Sequence, residues 1–194
     1  GETRPPLIIM IRHGQTTHNK LGLFTGWEDA PLAAEGRAEA SAAGALLAAH
    51  GCEIDAVYTS WLTRAIETAW LVLTPLDALW VSIHKTWRLN ERMYGALTGL
   101  SKKMIQEQFG DKQFKRWRRG YEVRPPPASP FSPVYPGNDD RYALAGVEGP
   151  FWLIFVVFVD RGAFFALATR RRNIHVGGRR RCSPRNIHVA PRGG

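Results

Sequence analysis

The stretch Leu7-Ile8-Ile9-Met10-Ile11, followed at once by Arg12-His13-Gly14, decides the fold. Its continuous apolar run is rich in β-branched residues and predicts a strand buried on both faces. The strand would hold the histidine rigidly, the arginine offers phosphate a bidentate donor, and the glycine lets a ligand approach the backbone. Imidazole is also a good nucleophile toward phosphoryl groups near neutral pH. For this tripeptide alone, a structural histidine at a strand end remains the simpler interpretation.

Helices and strands alternate beyond this first strand. The pattern predicts a helix over residues 33–49, a strand over 55–60, a helix over 62–73, a strand over 78–84 and a polar helix over 102–119. Such alternation is typical of an α/β protein, here a three-layer sandwich with a mainly parallel sheet flanked by helices. Ligands of these sheets collect at the carboxyl ends of the strands, where His13 would lie.

Composition divides the chain into three parts. Its 194 residues, 44% of them hydrophobic, suffice for one domain, which we expect over residues 1–142. Residues 143–169 form an apolar segment of uncertain status, and residues 170–194 an Arg-rich tail that we expect to be disordered. All 17 acidic residues precede residue 161, whereas residues 161–194 hold nine arginines and no acid, so the net charge of +9 belongs to this end of the chain. Nucleic-acid binding is therefore expected only nonspecifically, through that tail.

Several locations and classes are disfavoured by the sequence. Two cysteines are too few for a disulfide framework, and the first residues carry no signal-peptide pattern, so we expect a cytoplasmic protein. The apolar run over residues 151–159 is shorter than the ~20 residues of a membrane span, and no span is expected. No ligand-spaced Cys/His cluster indicates a metal site.

Further motifs accompany the histidine. They are Arg12-His13-Gly14-Gln15, Leu23-Phe24-Thr25-Gly26-Trp27, Tyr58-Thr59-Ser60 with Arg64-Ala65, Trp87-Arg88-Leu89-Asn90-Glu91-Arg92 with Tyr94-Gly95, and Arg118-Arg119 before a triple proline. Over residues 7–142 the chain resembles the 2,3-bisphosphoglycerate-dependent phosphoglycerate mutases of the histidine phosphatase superfamily. The Arg-His-Gly tripeptide marks the superfamily broadly, and the Phe-Thr-Gly-Trp and Arg-Leu-Asn-Glu-Arg blocks are more specific to the mutases.

The resemblance implies a chemistry for two residues. His13 would carry the phosphoryl group, and Glu91 would exchange protons with the substrate hydroxyls. The implied reaction is the glycolytic and gluconeogenic interconversion of 3-phosphoglycerate and 2-phosphoglycerate, primed by 2,3-bisphosphoglycerate and requiring no metal. Proton exchange needs a Glu91 pKa above the usual value, and a neighbouring dianionic phosphate would raise it. Without the resemblance, a salt bridge from Glu91 to Arg88 or Arg92 is an equally good interpretation.

The resemblance also implies a substrate-binding set for a small phosphorylated acid. Its members are Arg12, Gly14, Gln15, Thr16, Thr17, His18, Asn19, Thr25, Gly26, Arg64, Arg92, Met93, Tyr94, Lys102, Arg118 and Arg119. Arg12, Asn19 and Arg64 would surround the transferred phosphate. So many cations are required because phosphoryl transfer depends on positioning and charge neutralisation. Lys103 competes with Lys102 for its role, and a solvated helix end is the alternative for Arg118-Arg119.

The match ends near residue 142. The family has a second histidine in a late His-Gly-Asn block, which this sequence lacks, and His175 and His188 lie within an Arg-rich repeat. We therefore expect a fold that is incomplete at its carboxyl end and lacks a central strand. A phosphatase acting on a small phosphoester and a catalytically crippled family member are the alternatives within the enzyme class. A polyanion-binding protein acting through its tail is the alternative outside it, and a homo-oligomer is compatible with the family.

Overall fold

The computed structural model describes residues 7–145 and 156–159. The strands are β1 (Ile8–Ile11), β2 (Ala56–Thr59), β3 (Ile83–Lys85) and β4 (Val156–Val159). The helices are α1 (Thr17–Lys20), α2 (Ala34–Ala49), α3 (Thr63–Leu73), α4 (Lys102–Arg119) and α5 (Asp140–Ala143). The Arg-rich tail, its repeat and most of the apolar segment lie outside the described residues.

The four strands form one sheet in the order β1-β4-β2-β3. Strand β4 runs antiparallel to both β1 and β2, and β3 runs parallel to β2, so β1, β2 and β3 all point the same way. The expected α/β fold with a mainly parallel sheet flanked by helices is confirmed. The carboxyl ends of β1 and β2 consequently open onto one edge, where the chain continues into residues 12–14 and 60–64.

A single apolar cluster joins the sheet to α2 and α3. Ala43 and Leu47 of α2 meet Ala69 and Val72 of α3, and Val57 of β2 is fully buried beneath them. Burying the leucine and valine side chains removes apolar surface from water and stabilises the fold by roughly 1.5–3 kcal/mol for each of them. The packing therefore fixes the strand ends that carry the site.

A second cluster underlies the long polar helix. Phe24 and Tyr94 pack against Ile105, Phe114 and Trp117 on the inner face of α4. Ser101 caps the start of this helix by accepting a hydrogen bond from the Met104 amide, and Gly110 interrupts its helical geometry. The predicted helix has the expected bounds but consists of two helical segments that meet at Gly110, and its apolar face ties it to the loops that follow β1 and β3.

Three expectations about the strands are wrong. Ile8 and Met10 of β1 are each 37% exposed, because α2 and α3 cover the face occupied by Ile9 and Ile11. The third strand begins at Ile83 rather than residue 78, since Ala78 to Val81 form hydrogen-bonded turns. The central position expected to be missing is taken by β4, whose backbone pairs with strands on both sides. Among the described helices, none is both long and apolar enough to cross a membrane.

Candidate active site

His13 is held at the end of β1 by close backbone packing against α2. A side chain at Gly14 would place its Cβ 2.1 Å from the carbonyl oxygen of Gly36, and a side chain at Gly36 would meet Gln15 as closely. The Gln15 carbonyl also accepts a hydrogen bond from the Ala33 amide at 2.9 Å. Glycine is therefore required at position 14 by its contact with the helix, and the expectation that it also lets a ligand approach the backbone stays a prediction.

The hydrogen bonds of His13 decide which ring nitrogen can react. Nδ1 lies 2.8 Å from the Gly14 carbonyl oxygen, which can only accept, so Nδ1 carries the proton. Nε2 accepts from Arg64 Nε at 3.3 Å and holds the lone pair. The ring is only 8% exposed. His13 is thus fixed in the tautomer that presents Nε2 as a nucleophile.

Arg64, at the start of α3, is fully buried and organises the site. Besides His13, its guanidinium donates to the Gly26 carbonyl at 2.7 Å, to the Glu28 carbonyl at 2.8 Å and to Glu91 Oε2 at 3.0 Å. Buried charges are retained when they are paired and hydrogen-bonded, as this one is. Arg64, which is predicted to bind the transferred phosphate, therefore contacts His13 and Glu91, the two predicted catalytic residues.

Glu91 completes this cluster from the loop after β3. Its Oε2 lies 3.8 Å from His13 Nε2, and its carbonyl accepts a hydrogen bond from Trp27 Nε1 at 2.6 Å. Burial would raise the pKa of Glu91, but hydrogen bonding to the protonated form of His13 and the charges of Arg64 and Arg12 lower it to about 2. When His13 is neutral, the two arginines are the groups that lower it. The carboxyl is therefore ionised among these cations, and the raised pKa expected beside a bound phosphate stays a prediction. Its ionic partner is Arg64, which corrects the alternative of Arg88 or Arg92.

A second group of polar side chains surrounds Tyr94. Burial and the charge of Glu91 raise the pKa of Tyr94 to about 12, against the opposing effects of Arg92, Arg118 and Arg12. Burial and the neighbouring Arg118 lower the pKa of Lys102. Because these charges affect one another's pKa values, four cations lie in one region: Arg12 after β1, Arg92 in the loop after β3, and Lys102 and Arg118 at the two ends of α4.

The two adjacent lysines of α4 lie in different environments. Lys102 is partly buried and responds to Arg118, Glu91 and Arg12. Lys103 is exposed and pairs with Glu107 one turn along the helix. The structure therefore assigns Lys102 to the site and Lys103 to the surface.

Some predicted substrate-binding residues have structural partners. Arg92 is buried and donates to the carbonyls of Gly120 and Val123 at 2.7 and 3.2 Å, and burial lowers its pKa to about 10. Met93 is partly buried beside it, and Arg119 is exposed at the end of α4. Arg92 thus ties the β3 loop to the segment after α4.

The loop after Gly14 is ordered by local hydrogen bonds. Thr16 and Asn19 form a capping box at α1, each side chain accepting from the other's amide at 3.1 Å. Thr17 donates its amide to Pro31, and His18 Nδ1 lies 3.8 Å from Glu28 Oε2.

Thr25 and Gly26 lie on the other side of the catalytic cluster. Thr25 is buried. Gly26 has a φ of +59°, and a Cβ there would come within 2.9 Å of the Arg92 carbonyl oxygen. Glycine at this position allows the loop to turn so that its carbonyl reaches Arg64.

Sequence reasoning missed the groups that support the cluster. Asn90 is buried and accepts a hydrogen bond from the Trp61 amide at 3.0 Å. The side chain of Asp29 accepts from the amide and hydroxyl of Thr63, next to Arg64. Asn90 stands in the Leu-Asn-Glu-Arg block, but no local pattern marks Asp29. Within the part of the chain that is described, no three His, Cys, Asp or Glu side chains are grouped to hold a metal ion.

Solved structures of similar fold include both phosphatases and a mutase. A mycobacterial glucosyl-3-phosphoglycerate phosphatase, solved with VO3, is 27% identical, with a TM-score of 0.53 over 63% of this chain and 55% of that chain. The alpha-ribazole phosphatase from Shigella flexneri is 29% identical, with a TM-score of 0.51 over 63% and 57%. A phosphoglycerate mutase from Bacillus anthracis str. Sterne is 24% identical, with a TM-score of 0.50 over 61% and 54%, which shows the fold alone.

The matched region lies between residue 8 and residue 135, where the sequence profile of one family fits. It contains every residue of the His13, Arg64 and Glu91 cluster and the cations around Tyr94. The chain spans just over half the length of each of the three solved structures above. On the match over residues 8–135, this chain belongs to the histidine phosphatase superfamily (branch 1).

Proposed function

We propose that the chain transfers phosphoryl groups through a phosphohistidine at His13 and interconverts 3-phosphoglycerate and 2-phosphoglycerate. One observation carries the proposal: His13 Nε2, the Arg64 guanidinium and the Glu91 carboxylate meet within 4 Å of one another. A nucleophile, a cation and a proton-exchanging group are the three parts that this transfer requires. Under the proposal the chain is a cytoplasmic isomerase of glycolysis and gluconeogenesis.

Each side chain has one task in the reaction. The lone pair of His13 Nε2 attacks phosphorus, so that an N–P bond forms while the P–O bond to the leaving oxygen breaks. Glu91 gives a proton to that oxygen, and in the return step it takes the proton from the attacking substrate hydroxyl. Arg64 neutralises charge on the moving phosphoryl group. A bound phosphate dianion would oppose Arg64 and Arg12 and raise the pKa of Glu91 from about 2, which allows it to hold the proton.

The cations around Tyr94 suit a substrate with a second anionic group. Lys102 and Arg118 influence one another and Arg12, which follows β1 directly before His13. This donor set fits 2,3-bisphosphoglycerate, whose two phosphates and carboxylate would lie between Arg12, Arg64, Lys102 and Arg118. When bound, that compound supplies the phosphoryl group that His13 accepts before the first turnover.

A phosphatase acting on a small phosphoester is the second candidate. Two of the solved structures described above, at 27% and 29% identity, are phosphatases. In that case the phosphohistidine forms in the same way, and water rather than a substrate hydroxyl accepts the phosphoryl group with Glu91 as the base.

The decisive experiment labels the protein with 32P-2,3-bisphosphoglycerate and follows the products from 3-phosphoglycerate. We expect acid-labile, base-stable label on the wild type and none on H13Q. The control H84Q changes an exposed histidine of β3 that stacks on Tyr58, and it should label as the wild type does.

The products of the reaction distinguish a mutase from a phosphatase. Formation of 2-phosphoglycerate supports the mutase, whereas inorganic phosphate with glycerate supports the phosphatase. Label that persists in H13Q would contradict both, because the nucleophile would then be another residue.

A further inference from the structure

Tyr142 lies beyond the region that matches the family profile, yet it is among the most buried residues near the site. Its side chain is 2% exposed. The ring stacks on Trp61 with centroids 5.6 Å apart and packs on Trp27 at 4.7 Å. Trp27 lies between Gly26 and Glu28, whose carbonyls accept hydrogen bonds from Arg64, and Trp61 lies just before the helix that carries Arg64. Tyr142 therefore bridges these two loops.

The hydroxyl of Tyr142 is connected to Glu91 through the side chain of Asn90. Asn90 Nδ2 donates to the Tyr142 hydroxyl oxygen at 2.8 Å, while Asn90 Oδ1 accepts from the Trp61 amide at 3.0 Å. Asn90 immediately precedes Glu91, whose carbonyl is held by Trp27 Nε1. Two partners of Tyr142, Asn90 and Trp27, therefore hold the backbone of Glu91 in place.

A salt bridge between Arg141 and Asp29 holds the segment that contains Tyr142. Arg141 NH1 lies 3.0 Å from Asp29 Oδ2, and Asp29 Oδ1 accepts from the Thr63 amide at 2.7 Å. Thr63 is the residue before Arg64. The segment that carries Tyr142 thus contacts the supports of both Arg64 and Glu91.

We propose that Tyr142 is a positioning residue that acts through Asn90 to hold the Glu91 carboxylate against Arg64 and His13. The inference rests on the proposed function, because it assigns Tyr142 to the proton-exchange step of that reaction. Glu91 Oε2 lies 3.0 Å from Arg64 NH2 and 3.8 Å from His13 Nε2, and both distances depend on where Asn90 places the backbone.

The test compares Y142F with Y135F. Both variants lose one hydroxyl and keep the ring, but Tyr135 is 37% exposed and lies outside this network. Since small misplacements of a reacting group cost rate rather than binding, we expect kcat of Y142F to fall about tenfold with KM unchanged, and Y135F to match the wild type.

A double-mutant cycle shows whether the effect passes through Glu91. In an E91Q background, Y142F should lower kcat by less than about twofold, because the proton-exchanging group is already absent. An equal loss in both backgrounds would overturn the inference and leave Tyr142 a structural role only.

Hydrogen exchange at the Trp27 indole N–H supplies a measurement that needs no turnover. That proton binds the Glu91 carbonyl, so Y142F should accelerate its exchange about tenfold while Y135F leaves it unchanged. If the wild type is inactive, the proposed function fails, and this exchange rate still tests whether Tyr142 holds the backbone of Glu91 in place. Unchanged exchange in Y142F would overturn it.

Discussion

At the scale of single residues, the site depends on one buried arginine. Arg64 is fully buried and satisfies its donors with two carbonyl oxygens, the His13 ring and the Glu91 carboxylate. The arrangement holds His13 in its reactive tautomer and keeps Glu91 ionised until another anion approaches. The charges around Arg64 therefore couple His13, the proposed nucleophile, to Glu91, the proposed proton-exchanging group.

Replacing Glu91 by Gln should change the pH dependence of stability. The pKa of Glu91 is about 2 in the fold and 4.5 without these contacts, so the unfolded chain binds the proton more tightly. The stabilisation is fully present above pH 4.5 and is lost as the pH falls toward 2. Urea unfolding at several pH values should show a steeper decline for the wild type than for E91Q.

The exposed Glu122 offers the control for this experiment. E122Q should lose stability with acid as the wild type does. Parallel curves for the wild type and E91Q would show that the carboxyl is not held ionised by Arg64.

At the scale of elements, α4 presents two different faces. Its inner face packs Ile105, Phe114 and Trp117 against the core, and its two ends carry Lys102 and Arg118, whose charges influence one another. Its outer face carries exposed ion pairs such as Lys103 with Glu107. Helical periodicity thus separates neighbouring lysines into a candidate ligand and a solvent-exposed residue.

The comparison of K102M with K103M tests this separation. Loss of a charged donor at Lys102 should raise KM for the phosphorylated acid about tenfold or more, with a smaller effect on kcat. K103M should leave both constants within about twofold, since exposed ion pairs contribute little. Steady-state kinetics measures both, and a larger effect of K103M would reverse the assignment.

At the scale of the whole molecule, β4 closes the sheet between β1 and β2. Its backbone pairs Val157 with Met10 on one side and with Tyr58 on the other. These neighbours lead into His13 and Arg64, respectively. The relative position of the nucleophile and its cation therefore depends on a strand that lies beyond residue 135.

Replacing Val157 by proline should disrupt the pairing of β4 with β1 and β2. It removes the backbone N–H and disfavours a central strand, so we expect V157P to lose about 1–3 kcal/mol of unfolding free energy from the backbone group left unpaired. V157A keeps the N–H and serves as the control. Chemical denaturation followed by circular dichroism measures both, and equal stability would contradict the pairing of β4.

The longer helices and the motifs of the candidate site could be predicted because their signals are local. The Ala-rich stretch of α2 and the polar stretch of α4 have helical composition over several turns. The His13 tripeptide and the Glu91 block are short contiguous motifs. The start of β3 was misplaced because an apolar turn over residues 78–81 has the same composition as a strand.

By itself, the sequence determined the α/β class, the main helical segments and the family motifs that contain His13, Arg64 and Glu91, since composition and motifs are properties of neighbouring residues. Tertiary structure alone decided that Gly14 packs on Gly36, that Glu91 pairs with Arg64, that Lys102 rather than Lys103 faces the cations, and that Tyr142 reaches Asn90. These contacts join residues far apart in the chain. Their geometry and charge balance arise only when the packed sheet brings separate loops to one edge.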